Sequence, residues 1–89
     1  MDEIDWESYS WVVRGKQRRM VIAAMTKPMI PTEIRNETKL SITHVSKVLK
    51  AFNEKGVVKC LTPGVRIGKI YELTSMGKPI RQKMLKKEE

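Results

Sequence analysis

Between residues 16 and 55 the apolar side chains recur at three- and four-residue steps, whereas after Gly56 they gather into two short runs on either side of a turn. The first spacing belongs to helices with one buried face and the second to paired strands. Lys16 to Met25 reads as a helix with Val21, Ala24 and Met25 inward and Arg18 and Arg19 outward. Thr26, Lys27 and Pro28 end it, and Met29 and Ile30 form a two-residue apolar bridge to the next element. Pro31 suits a first helical position, because its missing N–H is one the first turn leaves unpaired, and Glu33 adds negative charge where the helix dipole is positive. After Leu40, Ser41 can cap a third helix whose buried stripe is Val45, Val48, Leu49 and Phe52, with Gly56 at its end.

Val57, Val58, Cys60 and Leu61 then make one β-prone run, and Lys69 to Leu73 a second. Pro63 and Gly64 turn the chain between them, so the pair predicts a hairpin with a glycine-bounded tip at residues 64–69. Thr74 or Ser75 can cap a last helix carrying Met76, Ile80 and Met84, widened by Leu85. Pro79 fits if it falls at the end of the first turn, where its lost hydrogen bond costs least. Before Gly15 the pattern is ambiguous: Trp6, Tyr9 and Val13 share a helical face with Asp5 as a cap, yet Tyr9, Trp11 and Val13 alternate like a strand. The expected architecture is mainly α with a β-hairpin, an α+β domain over residues 16–87 preceded by a flanking segment at 1–15.

Eighty-nine residues make one domain with a small core, burying roughly 60 to 65% of the surface its unfolded chain exposes. One Phe, two Tyr and two Trp leave that core to aliphatics and Met. The single Cys60 forms no internal disulfide, and one His cannot help assemble four zinc ligands, so neither metal nor cofactor is expected and a reducing cytoplasm fits. The acidic MDEIDWE start lacks an apolar h-region and no window approaches a membrane span, which speaks against secretion and membrane insertion. Net charge is +8, but six of the ten acids lie near the ends; residues 8–87 hold 18 basic and 4 acidic side chains, a net of +14. Such a field attracts polyanions.

The outer face of the helix after Ser41 carries Thr43, His44, Ser46, Lys47, Lys50 and Glu54, nearly all able to bond phosphates or base edges. Against that stands the plain reading of a solvated helix surface, which the agreement of element order and charge disfavours. His44 has no neighbouring Cys or His to share a metal, and Ser46 lies two positions from the only histidine, where a helix points them apart. No catalytic constellation forms, and an enzyme is not expected. Cys60 reads as a buried strand residue, with redox sensing the lesser option, and the basic stretch at 83–87 as a solvated end.

Helix, bridge, helix, turn, helix and hairpin is the order of the winged helix-turn-helix domain, and residues 16–87 resemble its small prokaryotic, including archaeal, members. LSITHVSKVLKAFNEKGVVKCL resembles the recognition-helix region of the multiple-antibiotic-resistance and arsenical-resistance repressor superfamilies, and YELTSMGKPI their last strand and following helix. The resemblance implies a three-helix core, a two-stranded wing and a C-terminal helix, in a DNA-binding transcriptional regulator. It would set Ser41, Thr43, His44, Ser46, Lys47 and Lys50 in or beside the major groove of double-stranded DNA, Arg66 and Lys69 on a wing at 64–69 that contacts the backbone or minor groove, and Arg18 and Arg19 against flanking phosphates. Trp6, Tyr9 and Trp11 exceed what the small core requires, and flanking segments of such domains pair subunits, so a homodimer through the N-terminal segment or the C-terminal helix is expected. Two positions depart from the pattern. Arg35 follows Ile34 where a small residue is usual, and Lys39 occupies the turn where Gly is usual, which predicts a mildly strained left-handed lysine. Non-specific nucleic-acid binding and a protein-docking winged helix are the competing readings.

Overall fold

The ambiguous opening stretch is helical. In the computed structural model, which describes residues 4–88, helix α1 spans Trp6–Val13 and buries Ser8, Tyr9 and Val12. The Ser8 hydroxyl donates to the Asp5 carboxylate at 2.9 Å, and the Tyr9 N–H closes the first turn on the Asp5 carbonyl. Helix α2, Lys16–Ala24, follows with Gly15 at its start, then α3, Pro31–Thr38, and α4, Ile42–Lys55. Strands β1, Val58–Cys60, and β2, Tyr71–Leu73, pair antiparallel with Val58 opposite Leu73, Lys59 opposite Glu72 and Cys60 opposite Tyr71. Helix α5, Gly77–Glu88, ends the described chain. The expected mixed architecture, helices with one hairpin, is therefore what forms.

The strands are shorter than the apolar runs around them because the flanking N–H groups are used elsewhere. The Val57 N–H bonds the Phe52 carbonyl at 2.8 Å, closing the end of α4, and the Ile70 N–H turns to the Thr62 hydroxyl at 3.0 Å. The bridge between α2 and α3 has a structural role that its composition did not announce. Met29 exchanges both backbone bonds with Tyr71, at 2.9 and 2.8 Å, and so adds a one-residue third rung on the free edge of β2. That contact ties the α2–α3 connection to the hairpin, and Met29 itself is buried.

One core joins every element. Phe52, Ile22, Ile34, Leu49 and Ile80 are its largest fully buried side chains, and burying each contributes on the order of 1.5–3 kcal/mol. Tyr9 and Val12 of α1 belong to the same cluster, so the segment set apart at 1–15 as a flank supplies some of the domain's interior. Trp11 packs edge-on to Phe52, with ring centroids 5.6 Å apart and planes at 69°. Of the three aromatic residues expected to exceed the needs of the core, only Trp6 stays mostly exposed, at 59%.

Arginines settle two helix ends. The last carbonyls of a helix lack intrahelical partners and attract cations. Arg18 donates to the Trp11 carbonyl at 2.6 Å and Arg19 to the Val13 carbonyl, both at the C-terminal end of α1. Arg81 reaches from α5 to the Ile22 and Ala23 carbonyls of α2 at 3.1 and 2.9 Å. The outward placement expected for Arg18 and Arg19 is thus corrected: both are half-buried, because each guanidinium folds back onto α1.

Candidate nucleic-acid interface

The connection between α3 and α4 fixes how the outer face of α4 is presented. Residues 39–41 make it, and Lys39 takes the left-handed conformation, φ 65° and ψ 13°. Its N–H closes α3 on the Arg35 carbonyl at 2.8 Å. Thr38, which the periodicity did not single out, holds the turn from below. Its buried hydroxyl donates to the Ile34 carbonyl at 2.8 Å and accepts from the Leu40 N–H at 3.3 Å. At the start of α3 the Glu33 carboxylate accepts the Ile30 N–H at 3.0 Å, so this acid caps the helix as well as facing its dipole. Arg35 lies exposed one position after the fully buried Ile34, so its bulk never has to fit inside.

Ser41 caps α4 as its sequence position suggested, accepting the His44 N–H at 3.2 Å. The hydroxyl proton is left free to donate. Val45, Val48, Leu49 and Phe52 are buried as one stripe. Opposite them Thr43, His44, Ser46, Lys47 and Lys50 are all exposed, and no acidic side chain appears on α4 until Glu54. Ile42 is the residue the sequence pattern left unassigned. It stands three positions before Val45, in phase with the buried stripe, yet is 41% exposed.

Lys47 does not stand alone. Together with Ala51 it lines an open hollow whose other wall is Lys16, Gln17 and Arg18 of α2, floored by Trp11. Arg18 sits 4.3 Å over the Trp11 ring and Lys55 lies 5.2 Å from its centroid, so the indole has two cations within cation–π range. The start of α2 and the outer face of α4 therefore form one cationic surface, although Arg18 and Arg19 already use donors on α1. Arg66 is exposed in the connection between β1 and β2, and Lys69 is half-buried beside it.

The remaining chemistry is sparse. Among the described residues no three His, Cys, Asp or Glu side chains converge where a metal could be held, and no helix is long and apolar enough to cross a membrane. Cys60 is a half-buried free thiol. Across the ladder from it, the Tyr71 phenol is held above its ordinary value, first by burial and then by the charge Cys60 acquires on ionisation. Comparison with protein-family models, curated proteins and solved structures gives no match to this chain.

Proposed function

We propose that this chain is a DNA-binding transcriptional regulator of winged helix-turn-helix type, with α4 as the reading helix and the β1–β2 connection as the wing. The observation that carries the reading is the outer face of α4. Six positions over its first turns, Ser41, Thr43, His44, Ser46, Lys47 and Lys50, are exposed together and free of acids, on a helix anchored by a fully apolar inner stripe. Hydroxyl, imidazole and ammonium groups in that arrangement match the acceptors of phosphates and of guanine and adenine edges. Ile42, exposed at the helix start, adds an apolar contact of the kind that recognises a thymine methyl. The rung between Met29 and β2 supports the winged reading, since it locks the α2–α3 connection and the hairpin into one unit around the reading helix.

Lys47, Lys50 and Lys16 supply phosphate contacts that fix register, while Thr43, His44 and Ile42 read bases. Arg18 and Arg19 serve chiefly to close α1, and their phosphate role is secondary. A homodimer belongs to the proposal: exposed Trp6, edge-on to Tyr9 at 5.6 Å, lies on α1 beside an apolar and basic groove formed by Ile4, Pro79 and Lys83. The site of action would be the cytoplasm, where the DNA is.

Selection from a random duplex pool at near-physiological salt tests this. Enrichment of a palindrome with half-sites about 10 to 10.5 bp apart is the expected outcome for a dimeric reader. Binding without enrichment, with a steep salt dependence, would instead indicate a non-specific nucleic-acid binder, a reading the +14 body also accommodates. Absence of any binding would reject the proposal.

A further inference from the structure

The tip of the β1–β2 connection carries the most exposed large apolar side chain in the described molecule. Ile67 is 92% exposed, and Val65 and Leu61 nearby are 43% and 42% exposed. One exposed apolar side chain is ordinary, but three gathered on one loop mark a surface suited to contact with a partner. The loop is built to project. Its base is pinned where the Leu61 N–H bonds the Ile70 carbonyl at 2.7 Å and the Ile70 N–H bonds Thr62, while the Val65 N–H turns back to the Thr62 carbonyl at 3.2 Å. Beyond that base Gly68 reverses the chain at φ 74°, and neither Gly64 nor Gly68 has another atom within 4 Å of where a Cβ would stand. Both glycines therefore stand in open space, with no other part of the molecule against them.

Charge identifies the occupant. From residue 55 to 71 the chain holds Lys55, Lys59, Arg66 and Lys69 and no acid, so the exposed isoleucine sits between two cations on a segment of one sign. A neutral protein groove would gain nothing from Arg66 and Lys69. A polyanion with an apolar interior reached through a slot of phosphates would gain from both, and the minor groove of duplex DNA is such a slot. Arginine and lysine are drawn to its negative potential, and an apolar side chain that enters it can pry apart a pair of stacked base pairs.

We propose that Ile67 is a wedge that enters the minor groove and partly unstacks one base step, kinking the duplex beside the site read by α4. The inference rests on the DNA-binding reading above and adds to it a deformation of the DNA and a sequence preference that needs no hydrogen bond. Arg66 and Lys69 hold the flanking phosphates, Ile67 separates the bases, and Val65 covers the opened edge. Flexible pyrimidine–purine steps, TA and CA/TG, are favoured under the wedge because they unstack most easily.

The experiment uses the full chain and a duplex carrying its selected site, with 2-aminopurine at the step under the wing and a fluorophore at each end. The wild-type chain is expected to raise the 2-aminopurine emission and shorten the end-to-end distance by a kink of roughly 20° or more. Ile67→Ala should abolish both signals and weaken binding several-fold, while Ile67→Met, another apolar wedge, should keep them. Arg66→Ala should instead lower the slope of log affinity against log salt by about 0.9. Ile67 is so exposed that neither of its substitutions should alter the thermal midpoint, which separates lost wedging from lost folding. Binding by Ile67→Ala with unchanged emission and unchanged end-to-end distance would overturn the wedge and leave the DNA reading standing. Failure of the wild-type chain to bind any duplex would overturn both. Ile67-dependent binding to vesicles of anionic lipid, with DNA geometry unaffected by the substitution, would assign the tip to a membrane surface and reject the wedge.

Discussion

Replacing Lys39 by Gly should make this protein more stable, although Lys39 is exposed and lies beside the helix proposed to read DNA. Its φ of 65° and ψ of 13° bring Cβ close to the following carbonyl oxygen, a contact that costs an L-residue roughly 1–2 kcal/mol. Glycine escapes that contact but gives up more backbone freedom on folding, a penalty of roughly 0.5–1 kcal/mol. The difference leaves Lys39→Gly more stable by about 0.5–1 kcal/mol. Unfolding entropy near the midpoint scales with length, about 0.19 kcal/mol/K for 89 residues, so the thermal midpoint should rise by about 3–5 °C. Lys39→Ala separates conformation from charge, because alanine keeps the steric contact and loses the ammonium; its midpoint should stay within about 1 °C of the wild type. Calorimetry or circular dichroism on the three chains reads the result. Equal shifts in both variants would mean that charge, not the left-handed backbone, sets the stability of the turn. A fall in Lys39→Gly would mean that the Thr38 hydrogen bonds leave no strain to relieve. The same pair reports on binding, since loss of a phosphate contact from Lys39 lowers the salt slope equally in both.

Gly77→Ala should be severely destabilising, because the added Cβ would stand 2.2 Å from the Val57 carbonyl oxygen and 3.2 Å from a Leu73 methyl; a loss of about 1–3 kcal/mol or more in urea denaturation is expected, and an unchanged midpoint would refute the close approach. Arg18→Ala removes a hydrogen bond to the Trp11 carbonyl and the cation over its ring, which together should cost about 1–2 kcal/mol, followed by tryptophan fluorescence, with Arg18→Lys recovering only a fraction. Tyr71 gives a pH signature. Its phenol is harder to ionise in the folded chain, so the stability carried by the neutral phenol is complete below the unfolded value and is lost as pH rises past it toward the folded one. Tyr71→Phe should therefore lose stability less steeply than the wild type above pH about 10, and parallel curves would contradict the shift. In DNA binding, Lys47→Ala should weaken all sequences alike and lower the salt slope by about 1, whereas Thr43→Ala or His44→Ala should change which sequences are preferred; a uniform loss from either would exclude base reading by that residue.

Sequence alone determined the helices, the hairpin and the polar outer face of α4, because each is a matter of local period and local chemistry. Pro31, Ser41 and Gly56 act within one turn of themselves, and the stripe from Val45 to Phe52 needs no knowledge of what covers it. The left-handed Lys39 was legible only through the resemblance, as a lysine standing where the winged helix-turn-helix pattern usually has Gly. The opening stretch was not, since Trp6, Tyr9, Trp11 and Val13 satisfy both periods; packing of Tyr9 and Val12 into the common core chose the helix.

Tertiary structure decided the partners that lie far apart in the chain. Arg81 closes α2 from 58 and 59 residues away, and Met29 completes the sheet from beyond two intervening helices. No period encodes such contacts, because a guanidinium or a backbone N–H is the same group wherever it sits. For the same reason Arg18 and Arg19 looked like free surface cations, and only the position of α1's last carbonyls gave them work. Exposure was decided there too. Ile42 and Ile67 read as ordinary apolar residues in the chain; the fold leaves one at the start of α4 and the other at the hairpin tip in solvent.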